Sequence, residues 1–139
     1  MECKIHWSGP STMSFEAETG SGHKILIDSA PESGGQNSGP RPMELILVGA
    51  VTCSVFDVVK ILSDKCEYLE LCDVDVTANR VEKPPRVFRE ININFTLKGK
   101  NLDHRDVEKA IDQTKTVYGS GNNMLKKTAN ISYSYKITN

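Results

Sequence analysis

The stretch that decides the fold is Arg41–Lys60, RPMELILVGAVTCSVFDVVK. Pro42 suits the first turn of a helix, where a missing N–H costs nothing. Small and apolar residues then run from Leu45 to Phe56 with no polar stripe. A helix that is apolar on every side is a buried helix. The run is shorter than the ~20 residues a bilayer span needs, and Asp57 and Lys60 follow it directly. The pattern predicts a buried helix from Pro42 to about Ser63. Burial on all sides is demanding for a chain of 139 residues, and sheets from two subunits wrapped around the helix would provide it.

Upstream, Met13, Phe15 and Ala17 alternate with Ser14, Glu16 and Glu18, the pattern of a half-buried strand. Lys4–Trp7 and Lys24–Asp28 read as strands to either side, joined by turns at Ser8-Gly9-Pro10 and Gly20-Ser21-Gly22. Together they predict an antiparallel meander. Residues 29–42 form a 14-residue segment rich in Gly, Pro and Ser. A loop of that length is either a mobile connector or functional.

Downstream, Cys72, Val74, Val76 and Ala78 alternate with polar residues, as do Ile91, Ile93, Phe95 and Leu97. Strict alternation predicts antiparallel strands with one buried face. Asp103 is a good N-cap, and Leu102 and Val107 stand at the positions of a hydrophobic staple. Val107, Ala110, Ile111, Thr114, Val117 and Tyr118 mark one face of a second helix, which Gly119–Asn123 should break. Ile131, Tyr133, Tyr135 and Ile137 define a last strand. This order predicts an α+β fold with antiparallel sheets, in a single domain over residues 1–139.

Seventeen basic and eighteen acidic residues leave a net charge of -1. The basic footprint of a nucleic-acid binder is absent, and no membrane partner is expected. The first residues lack the pattern of a leader, so the expected location is cytoplasmic. There Cys3, Cys53, Cys66 and Cys72 would be thiols. Their spacings, and the scattered His6, His23 and His104, match no metal site. Neither a phosphate-binding glycine loop nor a serine nucleophile elbow is present. Cys53 is the remaining candidate for chemistry. A cysteine on an apolar helix is commonly an inert small hydrophobe, whereas a working thiol must be ionised.

Pro42-Met43-Glu44-Leu45, the small apolar run, and Cys53-Ser54 within a long helix resemble the OsmC/Ohr family. These are the osmotically inducible protein C and organic hydroperoxide resistance proteins, here with the pattern of the YhfA-like branch. The resemblance extends through SGHKILID (21–28), PRVFREININFTLKG (85–99) and ANISYSYKI (129–137). It implies an OsmC-like fold in which antiparallel sheets wrap two central helices of an intertwined homodimer, with sites at the subunit interface. In the peroxidase members a helix cysteine attacks the hydroperoxide O–O bond and a second cysteine resolves the sulfenic acid. An Arg and a Glu hold the thiolate, and an external thiol restores it. The resemblance implies no metal, flavin or haem, so no cofactor is expected.

Carried over by position, Cys53 matches the attacking cysteine, and Gly119 stands where the resolving cysteine would fall. Met43 takes the place of the family Glu, with Glu44 one residue on, and Arg41 is the nearest substitute for the Arg. Glu44 and Cys53 are nine residues apart, about 180° around a straight helix. Asp57, four residues after Cys53, shares its face; the plainer reading pairs it with a lysine or a partner's Arg. The expected catalytic residues are Cys53 and Glu44. The expected substrate-binding residues are Arg41, Met43, Asp57, Tyr118 and Gly119. The expected function is an atypical thiol-dependent organic hydroperoxide reductase served by an external thiol. The alternatives are a non-catalytic binder of a small apolar or thiol-bearing ligand at the dimer interface, or a single-cysteine redox sensor.

Overall fold

Alternation in the long strands works as the sequence predicts. In a computed structural model describing residues 1–138, Phe88–Lys100 forms a 13-residue strand. It buries Phe88, Ile91, Ile93, Phe95 and Leu97. In chain order the elements are β1 (Cys3–Trp7), β2 (Phe15–Thr19), β3 (Lys24–Ile27), α1 (Pro42–Ser63), β4 (Tyr68–Arg80), β5 (Phe88–Lys100), α2 (His104–Gln113), α3 (Ser120–Leu125) and β6 (Asn130–Ile137). A short 3₁₀ turn lies at Pro31–Ser33, and a π turn at Thr114–Tyr118 leads from α2 towards α3. Residue contacts divide the chain into two units, 1–48 and the remainder from Gly49. The boundary falls within α1.

The first unit carries the predicted meander, β1-β2-β3, antiparallel throughout. Its register sets Ile5, Ala17 and Ile25 in one row and Trp7, Phe15 and Ile27 in the next. These rows share one apolar face. The segment after β3 is more ordered than its composition suggests. The Asp28 side chain, 1% exposed, accepts the backbone N–H of Ser29 (2.8 Å), Gln36 (3.0 Å) and Ser38 (2.9 Å). It also accepts the Ser38 hydroxyl at 3.0 Å. These donors, the Ser38 N–H foremost, outweigh desolvation and hold the carboxyl at about 2. Gly35 and Gly39 pass so close to Ser29 O and Leu26 O that no side chain fits at either position. The loop is thus drawn around one buried carboxylate.

The second unit has the sheet β4-β5-β6. Its rows read Ala78-Ile91-Ile131, Val76-Ile93-Tyr133, Val74-Phe95-Tyr135 and Cys72-Leu97-Ile137. The β4–β5 pair is antiparallel as expected, but β6 runs parallel to β5. This corrects the all-antiparallel expectation. Parallel neighbours need a long crossover, and α2, the π turn and α3 supply one. The opposite face is polar, with Thr77, Asn92, Asn94, Ser132 and Ser134 bonded across the strands.

The second helix also departs from prediction. The Asp103 cap is present, its carboxylate accepting the Arg105 N–H at 2.7 Å. Val107, Ala110, Ile111 and Thr114 are buried on the predicted face. The α-helix ends at Gln113, however, and the π turn widens the repeat. Val117 and Tyr118 therefore swing outward, 65% and 52% exposed. Gly119–Asn123 does more than break the helix, because Ser120 opens α3. A Cβ on Gly121 would run into the Ala50 Cα, so glycine lets α3 lie directly on α1.

The first helix has the predicted bounds, Pro42–Ser63. At 22 residues the whole helix passes for a membrane span by length and composition alone, a test the core helix of a soluble protein also passes. Ala50, Val51, Ser54, Val58 and Leu62 form its buried stripe. The expectation of burial all round does not hold within one chain: Gly49, Thr52, Cys53 and Phe56 are exposed.

Candidate active site

Cys53 stands on the exposed flank of α1. Helical spacing places Phe56, Asp57 and Lys60 on the same flank, the first two about one turn further on. Phe56, Asp57, Lys60, Ile61 and Asp64 line one side of a cavity of about 270 Å³, and Gln113 and Tyr118 close the other. Two of the expected substrate-binding residues, Asp57 and Tyr118, thus meet on one cavity whose rim begins a turn from Cys53. The outward swing of the π turn is what brings Tyr118 there.

Asp57 is held by a hydroxyl. The buried Thr114 Oγ1 lies 3.3 Å from Asp57 Oδ2 and donates to it. A lysine or arginine pair for Asp57 is not found among the described residues. The same hydroxyl lies 3.5 Å from the Ser54 carbonyl.

Gly119 lies deep in the structure. Its N–H donates to Thr114 O at 2.9 Å. A Cβ placed on it would strike Thr114 O and come within 3.1 Å of Ser54 Oγ. A cysteine cannot enter this position without moving backbone. The other thiols lie elsewhere: Cys66 follows α1, and Cys72 is half-buried on β4. Burial, aided by the Asp73 charge, pushes the Cys72 thiol up to about 11.

Arg41, Met43 and Glu44 belong to the first unit. Glu44 reaches back to the Arg41 N–H at 2.9 Å, and its other oxygen meets Arg41 Nη1 at 3.3 Å. The backbone bond is half of a capping box at the start of α1. It is also the first cause of a carboxyl held below its ordinary value. Met43 is half-buried.

A polar cluster behind α1 escaped sequence reasoning. Asn122 Nδ2 donates to Ser54 Oγ at 2.6 Å and to the Tyr133 hydroxyl at 3.1 Å. Ser54 and Asn122 are buried, and Asn122 Oδ1 has no partner. The available signal was Ser54 itself, a hydroxyl at helical spacing within the Val51–Val58 stripe. Asn122 gave none, since it sits where the sequence predicts a helix break.

An OsmC-like protein family model matches residues 35–134. The protein YhfA of Escherichia coli K12 is 36% identical over 140 residues, covering 99% of this chain and 98% of that protein. The chain belongs to the OsmC-like family. Among solved structures, a hypothetical protein from Aquifex aeolicus VF5 is 27% identical with a TM-score of 0.84, covering 99% of this chain and 95% of that one. An organic hydroperoxide resistance protein OsmC from Legionella pneumophila, described as a predicted redox protein, shares the fold at 16% identity. Its TM-score is 0.69, with 97% of this chain and 95% of that one covered.

Proposed function

We propose that the chain is a thiol-dependent organic hydroperoxide reductase whose catalytic cysteine, Cys53, is resolved by an external thiol. The observation that carries this reading is an exposed thiol one helical turn from the rim of the Asp57–Tyr118 cavity, while the position of a resolving partner is sealed at Gly119. The Cys53 thiolate attacks the distal oxygen of ROOH, forming a sulfenic acid and releasing the alkoxide, which takes a proton and leaves as ROH. A low-molecular-weight thiol then condenses with the sulfenic acid, releasing water and leaving a mixed disulfide. A second thiol attacks that disulfide and returns Cys53 to its reduced state. The balance is ROOH plus two thiols giving ROH, water and one disulfide.

We assign substrate contact to Asp57, Tyr118 and the Phe56 ring. Lys60, two helical turns after Cys53, adds a cation to the cavity lining. The homodimer that the family resemblance implies suits the apolar exposure of α1 at Phe56, which is 66% exposed in one chain.

Mass spectrometry after one equivalent of cumene hydroperoxide, with a sulfenic-acid trap present, tests the reading. Trapping within seconds at Cys53 alone, and loss of thiol-coupled turnover in Cys53→Ser, are expected. Slow oxidation spread over Cys3, Cys53, Cys66 and Cys72 would sink the reductase. The cavity would then support the second reading, a non-catalytic pocket for a small apolar ligand.

A further inference from the structure

A second cavity, of about 430 Å³, lies in the unit from Gly49 onward. Lys115 from the π turn, Lys126 and Lys127 after α3, and Tyr133 and Ile131 from β6 line it, with Asn122 among them. The lining holds three ammonium groups and no carboxylate. None of the three lysines forms an ion pair among the described residues. Like charges gathered without a counterion raise the potential of a concave site and favour an anion there.

The polar groups have the matching chemistry. Ser54, Asn122 and Tyr133 bring four N–H and O–H donors, one from each hydroxyl and two from the amide. Asn122 Nδ2 makes two donor bonds inside the cluster, and the Ser54 hydroxyl also bonds to the Tyr133 phenol. Tyr133 lines the cavity, and because its Oη accepts from its neighbours its own proton is free for a ligand. Burial raises the Tyr133 phenol above its ordinary value, so it stays an O–H donor. With Asn122 donating to both hydroxyls, the cluster keeps a donor to spare, which suits a ligand that only accepts. Lys115 Nζ is already placed, 4.9 Å above the Tyr133 ring, a cation–π distance.

We propose that this cavity binds a small organic dianion, a phosphomonoester or a dicarboxylate. Lys115, Lys126 and Lys127 supply the charge, and Tyr133 supplies a directed hydrogen bond. The site is separate from Cys53 chemistry and stands whether or not the protein reduces hydroperoxides.

Amide NMR titration of the full chain with glycerol 1-phosphate, succinate, glycerol and acetate tests it. At least one dianion should give saturable shifts at Lys115, Lys126, Lys127 and Tyr133; which one saturates names the source. Lys115→Gln should weaken binding about tenfold, the weight of one charge-assisted hydrogen bond. Tyr133→Phe should weaken it several-fold while amides away from Ser54 and Asn122 are unchanged. Raising the salt should weaken it further. Glycerol shifting the same residues as strongly would overturn the proposal, as would shifts that never saturate and spread to Lys4 and Lys24. An unchanged affinity in Lys115→Gln would overturn it too.

Discussion

Both three-stranded sheets alternate apolar and polar residues, yet they end in different states. The β4-β5-β6 sheet, with its crossover, buries Ile91, Ile93, Phe95 and Leu97 almost completely. In the β1-β2-β3 unit the buried side chains are Ala17 and Asp28, one small and one charged, while Ile5 and Trp7 stay 67% and 47% exposed. A period of two tells which residues share a face. It does not tell what covers that face. In the second sheet the crossover between parallel strands brings its own helices. The meander's connections carry no helix, and its order rests instead on a carboxylate that gathers a loop.

The contrast is sharpest at Phe95, 1% exposed. Phe95→Ala should cost about 3–5 kcal/mol, read as a lowered urea midpoint. Gly121→Ala presses a methyl into Ala50 and should cost about 1–3 kcal/mol, with the thermal midpoint falling and the α3 amides losing exchange protection first.

Asp28 gives the first unit its own signature. Its carboxyl titrates at about 2 in the folded chain against 3.8 ordinarily. The stability it contributes is therefore complete above the ordinary value and is lost as the pH falls through about 2. Asp28→Asn should flatten that acid dependence and speed amide exchange at Gln36 and Ser38. Loss of protection across β4-β5-β6 as well would break the contrast between the units. Cys72 acts in the opposite pH range. Its thiol is raised from 9.0 to about 11, so the unfolded chain ionises first and stability falls between those values. Iodoacetamide at neutral pH should accordingly label Cys53 well before Cys72, as peptide mass spectrometry would show. The smallest effect is expected at Ile5→Ala, within about 0.5 kcal/mol for an exposed site. A loss like that of Phe95→Ala would mean that a second chain covers the meander.

Most of this fold was legible because it rests on period and punctuation. Pro42 and the apolar run give α1 its observed start and end, and alternation gives both faces of β4 and β5. The direction of β6 was not legible, because Ile131, Tyr133, Tyr135 and Ile137 alternate identically whichever way the strand runs. The π turn was hidden for a related reason. Thr114, Val117 and Tyr118 fit an α-helical face in sequence, and only the wider hydrogen-bonded turn moves the last two off it. Within the candidate site, Cys53 follows from the helix motif and its neighbour Asp57 from helical spacing. The Ser54–Asn122–Tyr133 cluster joins residues far apart in the chain, and pairing at that range is decided by packing that no local pattern records.

The π turn at Thr114–Tyr118 has one more consequence. A turn holding one residue beyond the α-helical count is, in the arithmetic of insertions and deletions, a surplus residue absorbed without disturbing either flank. Removing Lys115 would return the segment to an α-helical count and leave Tyr118 facing outward, because the shortened segment spans the same rotation after Ile111. At the present length it is the wide turn that keeps Tyr118 off the Ile111 face and gives the cavity by Asp57 its aromatic wall.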